Sequence, residues 1–295
     1  MQIDFSSMLS TFISCENDTP QDYQSIWNKI NLVINEYKNI LQHGEYVEIN
    51  LGAIGSVSYP FYKYKNLTSL DLLSPEDIFL FSRYVKNYPT IKHFIDIGAN
   101  IGLHSLIAKK IGYSVISFEP DSETFSLSKE FFNKNNIEFI ELNENVLFEE
   151  ILAKKPGQLL LVQAAVSDFN GYTKFTKILD NPTANHLSGR KMNVYGELLE
   201  QTVRVVCLDQ LNFEAVIKID AEGEDAIILQ SLLNSESLSG MVYLCDWRIE
   251  TRQDIFNLLS KNSLSSYNPF FRRKLENIND LPLSKSCDFI EVQVS

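Results

Sequence analysis

Between residues 93 and 245 the chain alternates short, almost wholly apolar runs with helical patterns, and few folds accommodate that texture. Residues 93–97, 114–118, 158–164, 215–219 and 241–245 predict strands buried on both faces. Residues 103–111, 122–135, 224–233 and 252–260 repeat apolar side chains at helical spacing. Strands and helices in alternation imply an α/β domain over 89–295, a mostly parallel sheet flanked by helices. The last residues, 288–295, alternate and predict a final edge strand. Residues 168–201 are polar and punctuated by Gly171, Pro182, Gly189 and Gly196. They predict a short hairpin at 172–178 and a loop over the carboxyl edge of the sheet, where ligands bind in such folds.

The first 88 residues carry no chemical motif. A helix is expected over 22–42, with Asp18 and Thr19 before Pro20 as its start, followed by extended segments at 46–51 and 57–64. Ser74-Pro75-Glu76-Asp77 opens a further helix running to about Lys86, with Ser74 as N-cap and Pro75 in its first turn. Trp27, Ile30, Tyr59, Phe61 and Tyr62 need a partner surface. Residues 1–88 are therefore expected to cap the α/β domain, shaping an acceptor pocket or a homodimer interface. A chain of 295 residues suits one large domain with such an extension. Its 26 basic and 38 acidic residues leave a net charge of −12, which argues against nucleic-acid or anionic-membrane partners. No run approaches the roughly 18–20 apolar residues that span a bilayer. The first residues lack a basic start, and the four cysteines include no CxxC pair, so a cytoplasmic protein with reduced thiols is expected.

Three strings at predicted strand ends carry the chemistry. Asp96-Ile-Gly98-Ala-Asn100-Ile-Gly102 follows the first strand and opens a helix. Its GxxxG spacing lacks the middle glycine of a dinucleotide fingerprint, and Asp96 would welcome an ammonium rather than a diphosphate. Glu119, before Pro120, closes the next strand about twenty residues on, where a carboxylate accepts both hydroxyls of a ribose. In Lys218-Ile-Asp220-Ala-Glu222-Gly-Glu224-Asp225 four carboxylates crowd a strand end. Glu224 and Asp225 suit a helix N-terminus, whereas Asp220 and Glu222 sit in the turn facing the cleft. Lys218, within the strand, needs a carboxylate partner.

In this order the three strings resemble the FkbM-type family of S-adenosylmethionine (SAM)-dependent methyltransferases, over about residues 88–244. Ala164-Ala-Val-Ser-Asp168 and Val205-Val-Cys-Leu-Asp209 add weaker matches. The resemblance implies a Rossmann-like class I sheet of seven strands with SAM at its carboxyl edge. Asp96, Gly98, Asn100 and Gly102 would then wrap the methionine part of SAM, Glu119 would hold the ribose, and Ala164 and Ala165 would border the adenine. Asp220 and Glu222 would face the transferring methyl and the acceptor, a hydroxyl on a sugar of a surface glycan, its nucleotide-linked precursor or a secondary metabolite. The fifth strand ends in Asp246 where the family often has Glu, and residues 136–157 hold extra sequence with an expected helix at 144–154.

The proton acceptor is open between Asp220, Glu222 and His186, whose unperturbed pKa suits neutral operation. His93 reads as structural, and His104, on the first helix, as within reach of the cleft. No metal set is read among the histidines, although Asp220 with Asp246 allows a divalent ion without requiring it. Two other functions fit the same sheet, an NAD-dependent sugar-modifying enzyme and a catalytically silent binding protein. The GxxxG spacing opposes the first, and the intact Asp96, Glu119 and Asp220 oppose the second.

Overall fold

The computed structural model describes residues 2–15, 23–64, 67–142, 156–179, 181–190, 196–235, 238–245, 252–269, 273–280 and 289–294. The expected helix start at 18–20, the helix at 144–154, Asp246 and Cys287 lie outside them.

The chain opens with β1 (Gln2–Asp4), α1 (Ser6–Ser14), α2 (Tyr23–Ile40), β2 (Tyr46–Asn50) and β3 (Ser56–Pro60). These strands form a small sheet in the order β1-β2-β3, to which β1 and α1 are additions the sequence did not announce. Next comes α3 (Pro75–Asn87), which begins as expected: the Ser74 hydroxyl accepts from the Asp77 amide, and the Asp77 carboxylate accepts from the Ser74 amide at 2.6 Å. Nine of its residues from Pro75 to Tyr84 are buried, so this helix is enclosed rather than surface-lying.

From there the alternation read in the sequence unfolds as β4 (His93–Ile97), α4 (Leu103–Ile111), β5 (Ser114–Phe118), α5 (Ser122–Lys134), β6 (Ile140–Leu142) and β7 (Leu159–Val162). A second group follows: β8 (Ala165–Ser167), β9 (Gly171–Ile178), β10 (His186–Leu187) and β11 (Leu198–Cys207). Then come β12 (Glu214–Ile219), α6 (Asp225–Leu233), β13 (Ser239–Leu244), α7 (Arg252–Lys261), β14 (Ser265–Asn268), β15 (Arg273–Lys274) and β16 (Ile290–Val294).

Among the described residues the main sheet runs β15-β14-β16-β13-β12-β4-β5-β7-β6, nine strands rather than the seven expected. The two extra strands, β6 and β15, are short and occupy its edges, where short strands leave little unpaired backbone. β6, β7, β5, β4, β12 and β13 are mutually parallel, and β16 enters antiparallel between β13 and β14. The tail is therefore an interior strand, not the edge strand its alternation suggested.

Successive side chains of the central strands point to opposite faces, and both faces are dry. Phe94, Val115, Leu159, Leu161 and Val216 join one core with α3, α4, α5 and the amino-terminal segments. Ile95, Ile97, Ile116, Leu160 and Ile217 join another with α6 and α7. This is why the strands read as unbroken apolar runs. The first core is continuous from Ile3 to Phe289, and the buried Arg83 of α3 meets Glu291 of β16 at 2.6 Å.

Residues read as a loop over the sheet edge instead build a second sheet, in the order β10-β9-β11-β8. Residues 172–178, expected to form a short hairpin, are instead part of one continuous strand, β9, which pairs antiparallel with the ten-residue β11 on one side and with β10 on the other. β8 is too short to signal itself, and Leu198 and Leu199 are half exposed, so β11 shows no buried run at its start.

Candidate active site

The turn after β4 carries three left-handed residues, Gly98, Asn100 and Gly102, with φ of 73°, 53° and 84°. Gly98 is obligatory for a second reason: a Cβ there would lie 2.0 Å from the Asp220 carbonyl oxygen. The loops after β4 and β12 thus touch backbone to backbone, and the Asp220 amide donates to the Ile97 carbonyl at 3.1 Å. Two motifs far apart in sequence become one surface because their strands are neighbours.

That surface walls a cavity of about 410 Å³, within the range of cofactor sites. Gly98, Asn100, Glu119, Ala164, Ala165, His186, Asp220 and Glu222 all line it. Two residues assigned to the cofactor from the sequence, Asp96 and Gly102, stand behind this wall. Asp96 is fully buried, accepts from the Ser105 hydroxyl at 2.7 Å and faces the Lys218 ammonium at 3.3 Å. Gly102 begins α4, and a Cβ there would strike the Phe132 ring at 2.4 Å. Both shape the turn from behind.

Glu119 is 8% exposed. Its two carboxylate oxygens accept from the amides of Asn100 and Asp121, each at 2.9 Å. The side chain therefore ties the glycine turn to β5, a role beyond the one its position suggested. Each oxygen keeps a second lone pair for a donor in the cavity. Burial pushes its pKa up to about 7, outweighing those amide bonds and the nearby Lys218 ammonium.

Lys218 has the carboxylate partners it needs. Its ammonium lies between Asp96 and Asp220, at 3.3 and 3.5 Å, and donates to the Gly98 carbonyl at 3.2 Å. Those carboxylates overcome desolvation and hold its pKa above the usual lysine value. Asp220 is the more open partner, with its side chain 41% exposed. Glu222 is half-buried and takes a φ of 52°, a conformation that costs a residue with a Cβ and that clusters at functional sites.

His186 is buried rather than solvated, and the Ala184 carbonyl oxygen lies 2.9 Å from its Nδ1. A carbonyl only accepts, so Nδ1 carries the hydrogen and the neutral ring keeps its lone pair on Nε2. His104 also reaches the cavity, held by the Tyr84 hydroxyl at 3.0 Å on Nδ1 and by Asp77 at 3.1 Å on Nε2. His93 begins β4 and lies 3.3 Å from the Glu214 carbonyl, away from the cavity.

Sequence reasoning expected the first 88 residues to shape a pocket but placed none of them in its wall. Tyr59, Asp71, Ser74, Glu76, Asp77 and Leu80, all from the first 88 residues, line the same cavity. The one signal was Ser74-Pro-Glu-Asp77, readable as a cap but silent on what the cap faces. The described lining holds seven carboxylates against one lysine, and that lysine is already paired. Among the described residues no group of three or more His, Cys, Asp or Glu is placed to hold a metal ion, and no helix is long and apolar enough to cross a membrane.

Among curated proteins none matches the chain. Solved structures resemble it distantly. The ribosomal protein L11 methylase of Lactobacillus delbrueckii subsp. bulgaricus is 16% identical, with 75% of this chain and 79% of that one covered and a TM-score of 0.36. The SAH-bound Podospora anserina methyltransferase PaMTH1 is 10% identical, with 98% and 94% covered and a TM-score of 0.38. The model of the FkbM methyltransferase domain matches residues 96–256, more than half of the chain and spanning the three strings that build the cavity. The chain belongs to the FkbM family of SAM-dependent methyltransferases.

Proposed function

We propose that this chain is an O-methyltransferase that carries the methyl group of SAM to a hydroxyl of a glycan. The observation that carries this reading is the meeting of Glu119, Asp220 and Glu222 in one cavity with the 98–102 turn. The donor set suits SAM: Glu119 offers lone pairs to a ribose diol, the backbone at Ala164 and Ala165 borders the space for adenine, and the open acids favour an ammonium and a sulfonium. Bound there, SAM supplies an electrophilic methyl group. Asp220 or Glu222 orients the acceptor hydroxyl and takes its proton, with His186 Nε2 as the other base in the same wall.

Residues 1–88 act as a cap that completes the acceptor side, as the cavity positions of Tyr59, Asp71, Glu76 and Asp77 support. Carboxylates accept readily from sugar hydroxyls, whereas a diphosphate among seven acids and one paired lysine meets repulsion. The lining thus favours an uncharged sugar of a surface polysaccharide, or a hydroxylated secondary metabolite, over a nucleotide-linked precursor. It equally disfavours nucleic acid. A cytoplasmic setting follows from the need for SAM.

Incubation with methyl-labelled SAM and parallel sets of neutral oligosaccharides and nucleotide-linked sugars tests the reading. Label is expected as an alkali-stable ether on a neutral acceptor. Labelling of nucleotide-linked sugars alone, or of nitrogen or carbon, contradicts it.

A further inference from the structure

The third of the four acids in the last string, Glu224, lies outside the chemistry assigned above, yet it is 1% exposed. One of its oxygens accepts from the Ser167 hydroxyl at 2.6 Å, at the end of β8. The other lies 2.5 Å from Nε of Arg190, whose side chain is 43% exposed. Burial raises the pKa of this carboxyl, and the Ser167 hydroxyl and the Arg190 charge reaching in from the surface both work against that shift.

Arg190 follows a segment that forms part of the cavity wall: Pro182, Thr183, Asn185, His186 and Leu187 are all in its lining. A second contact holds the same end down. The Arg190 carbonyl oxygen lies 3.1 Å from where a Cβ on Gly223 would be, so the strap packs closely against a turn that has no side chain at 223. Gly223 also takes a φ of 109°. At its other end the Asn181 amide donates to the Ile178 carbonyl at 2.9 Å, and midway the Asn185 side chain accepts from the Ile178 amide at 2.8 Å. The strap is thus paired to β9 through β10 and as far as Ser188, whose amide donates to the Lys174 carbonyl at 3.0 Å, and beyond that ladder the Arg190 charge ties it to the loop that carries Asp220 and Glu222.

We propose that Arg190 and Glu224 are positioning residues, a clasp that holds segment 181–190 over the cavity, sets His186 in its wall and must release for SAM to enter or S-adenosylhomocysteine (SAH) to leave. The clasp rests on the SAM reading only for the identity of what passes. Closed, it keeps water from the reacting atoms and keeps His186 buried. Open, it exposes the turn and the ribose-binding Glu119 to solvent.

The test compares the intact chain with Arg190→Ala and Arg190→Lys. Hydrogen exchange over 181–190 is followed by mass spectrometry, and SAH on- and off-rates by surface plasmon resonance. For Arg190→Ala the expected result is at least tenfold faster exchange in that segment alone. Its SAH on- and off-rates should rise together, and affinity should change less than threefold. Arg190→Lys, which restores the charge without the guanidinium geometry, should fall between the two. Exchange unchanged in Arg190→Ala overturns the clasp. Faster exchange with unchanged SAH rates overturns the gating, and collapse of SAH affinity overturns the positioning role in favour of direct ligand contact. If SAH fails to bind the unaltered chain, the cofactor reading fails, while the exchange measurement still decides the clasp. A melting curve for each variant separates these effects from misfolding.

Discussion

Burial pushes Glu119 up to about 7, so near neutral pH the ligand-free chain holds it as a mixture of acid and carboxylate. The sign of its effect on folding follows. The fold prefers the protonated acid, a contribution present below the unfolded value of 4.5 and lost as pH rises through about 7. Ribose binding works in the opposite sense, because only the carboxylate accepts from both hydroxyls. SAM affinity should therefore rise between pH 6 and 8. Titration calorimetry at pH 7 in buffers of different ionisation enthalpy should detect release of a fraction of a proton, absent in Glu119→Gln. Uptake of protons on binding contradicts the assignment. Asp220→Asn and Glu222→Gln separate chemistry from binding at the neighbouring acids. At least one should bind SAM normally while methyl transfer falls roughly 10²–10⁴-fold, measured as label transferred per minute. Normal turnover in both removes these carboxylates from the proton transfer.

At the scale of the element, the decisive contacts are those of the two turns at the sheet edge. Gly98→Ala places a Cβ 2.0 Å from the Asp220 carbonyl and at a φ that side chains resist. Displacing that backbone should cost at least about 2 kcal/mol, seen as a lowered melting temperature, with SAM binding lost as well. β4 and β5 were legible to the residue, because strands buried on both faces leave unbroken apolar runs between glycine and polar stops. β16 was found but misplaced. Alternation reports one wet face, and its Glu291 and Gln293 supply it, yet Glu291 pairs with Arg83 inside the molecule. β8 and β10, three and two residues long, exist only through their partners and leave no periodic signal.

For the whole molecule, the meeting of Gly98, Asn100, Glu119, Asp220 and Glu222 at one sheet edge could be read from three strings because glycine turns and strand-end acids have local causes. The cavity residues from the first 88 could not be named from the sequence, although that segment was expected to cap the domain. Glu76 and Asp77 became cavity residues only when α3 packed against α4 and brought the Ser74 cap toward His104. The core that joins residues 1–88 to the sheet includes Phe5, Tyr59, Phe79, Phe81 and Tyr84, all fully buried. A chain beginning at Tyr88 would expose the facing surface of Phe94, Tyr113 and Phe131. It is expected to aggregate or melt well below the full chain in differential scanning calorimetry. A truncated chain that is monodisperse and equally stable contradicts the shared core. The most direct test of the central claim is calorimetric titration of SAM, SAH and NAD into the full chain and Glu119→Ala. Glu119 can give a ribose two charge-assisted hydrogen bonds of roughly 1.5–3 kcal/mol each, so even after discounting for non-additivity the variant should lose at least tenfold in SAM and SAH affinity. SAM and SAH should bind the full chain and NAD should not. Equal SAM binding by both proteins, or binding of NAD in place of SAM, would contradict it.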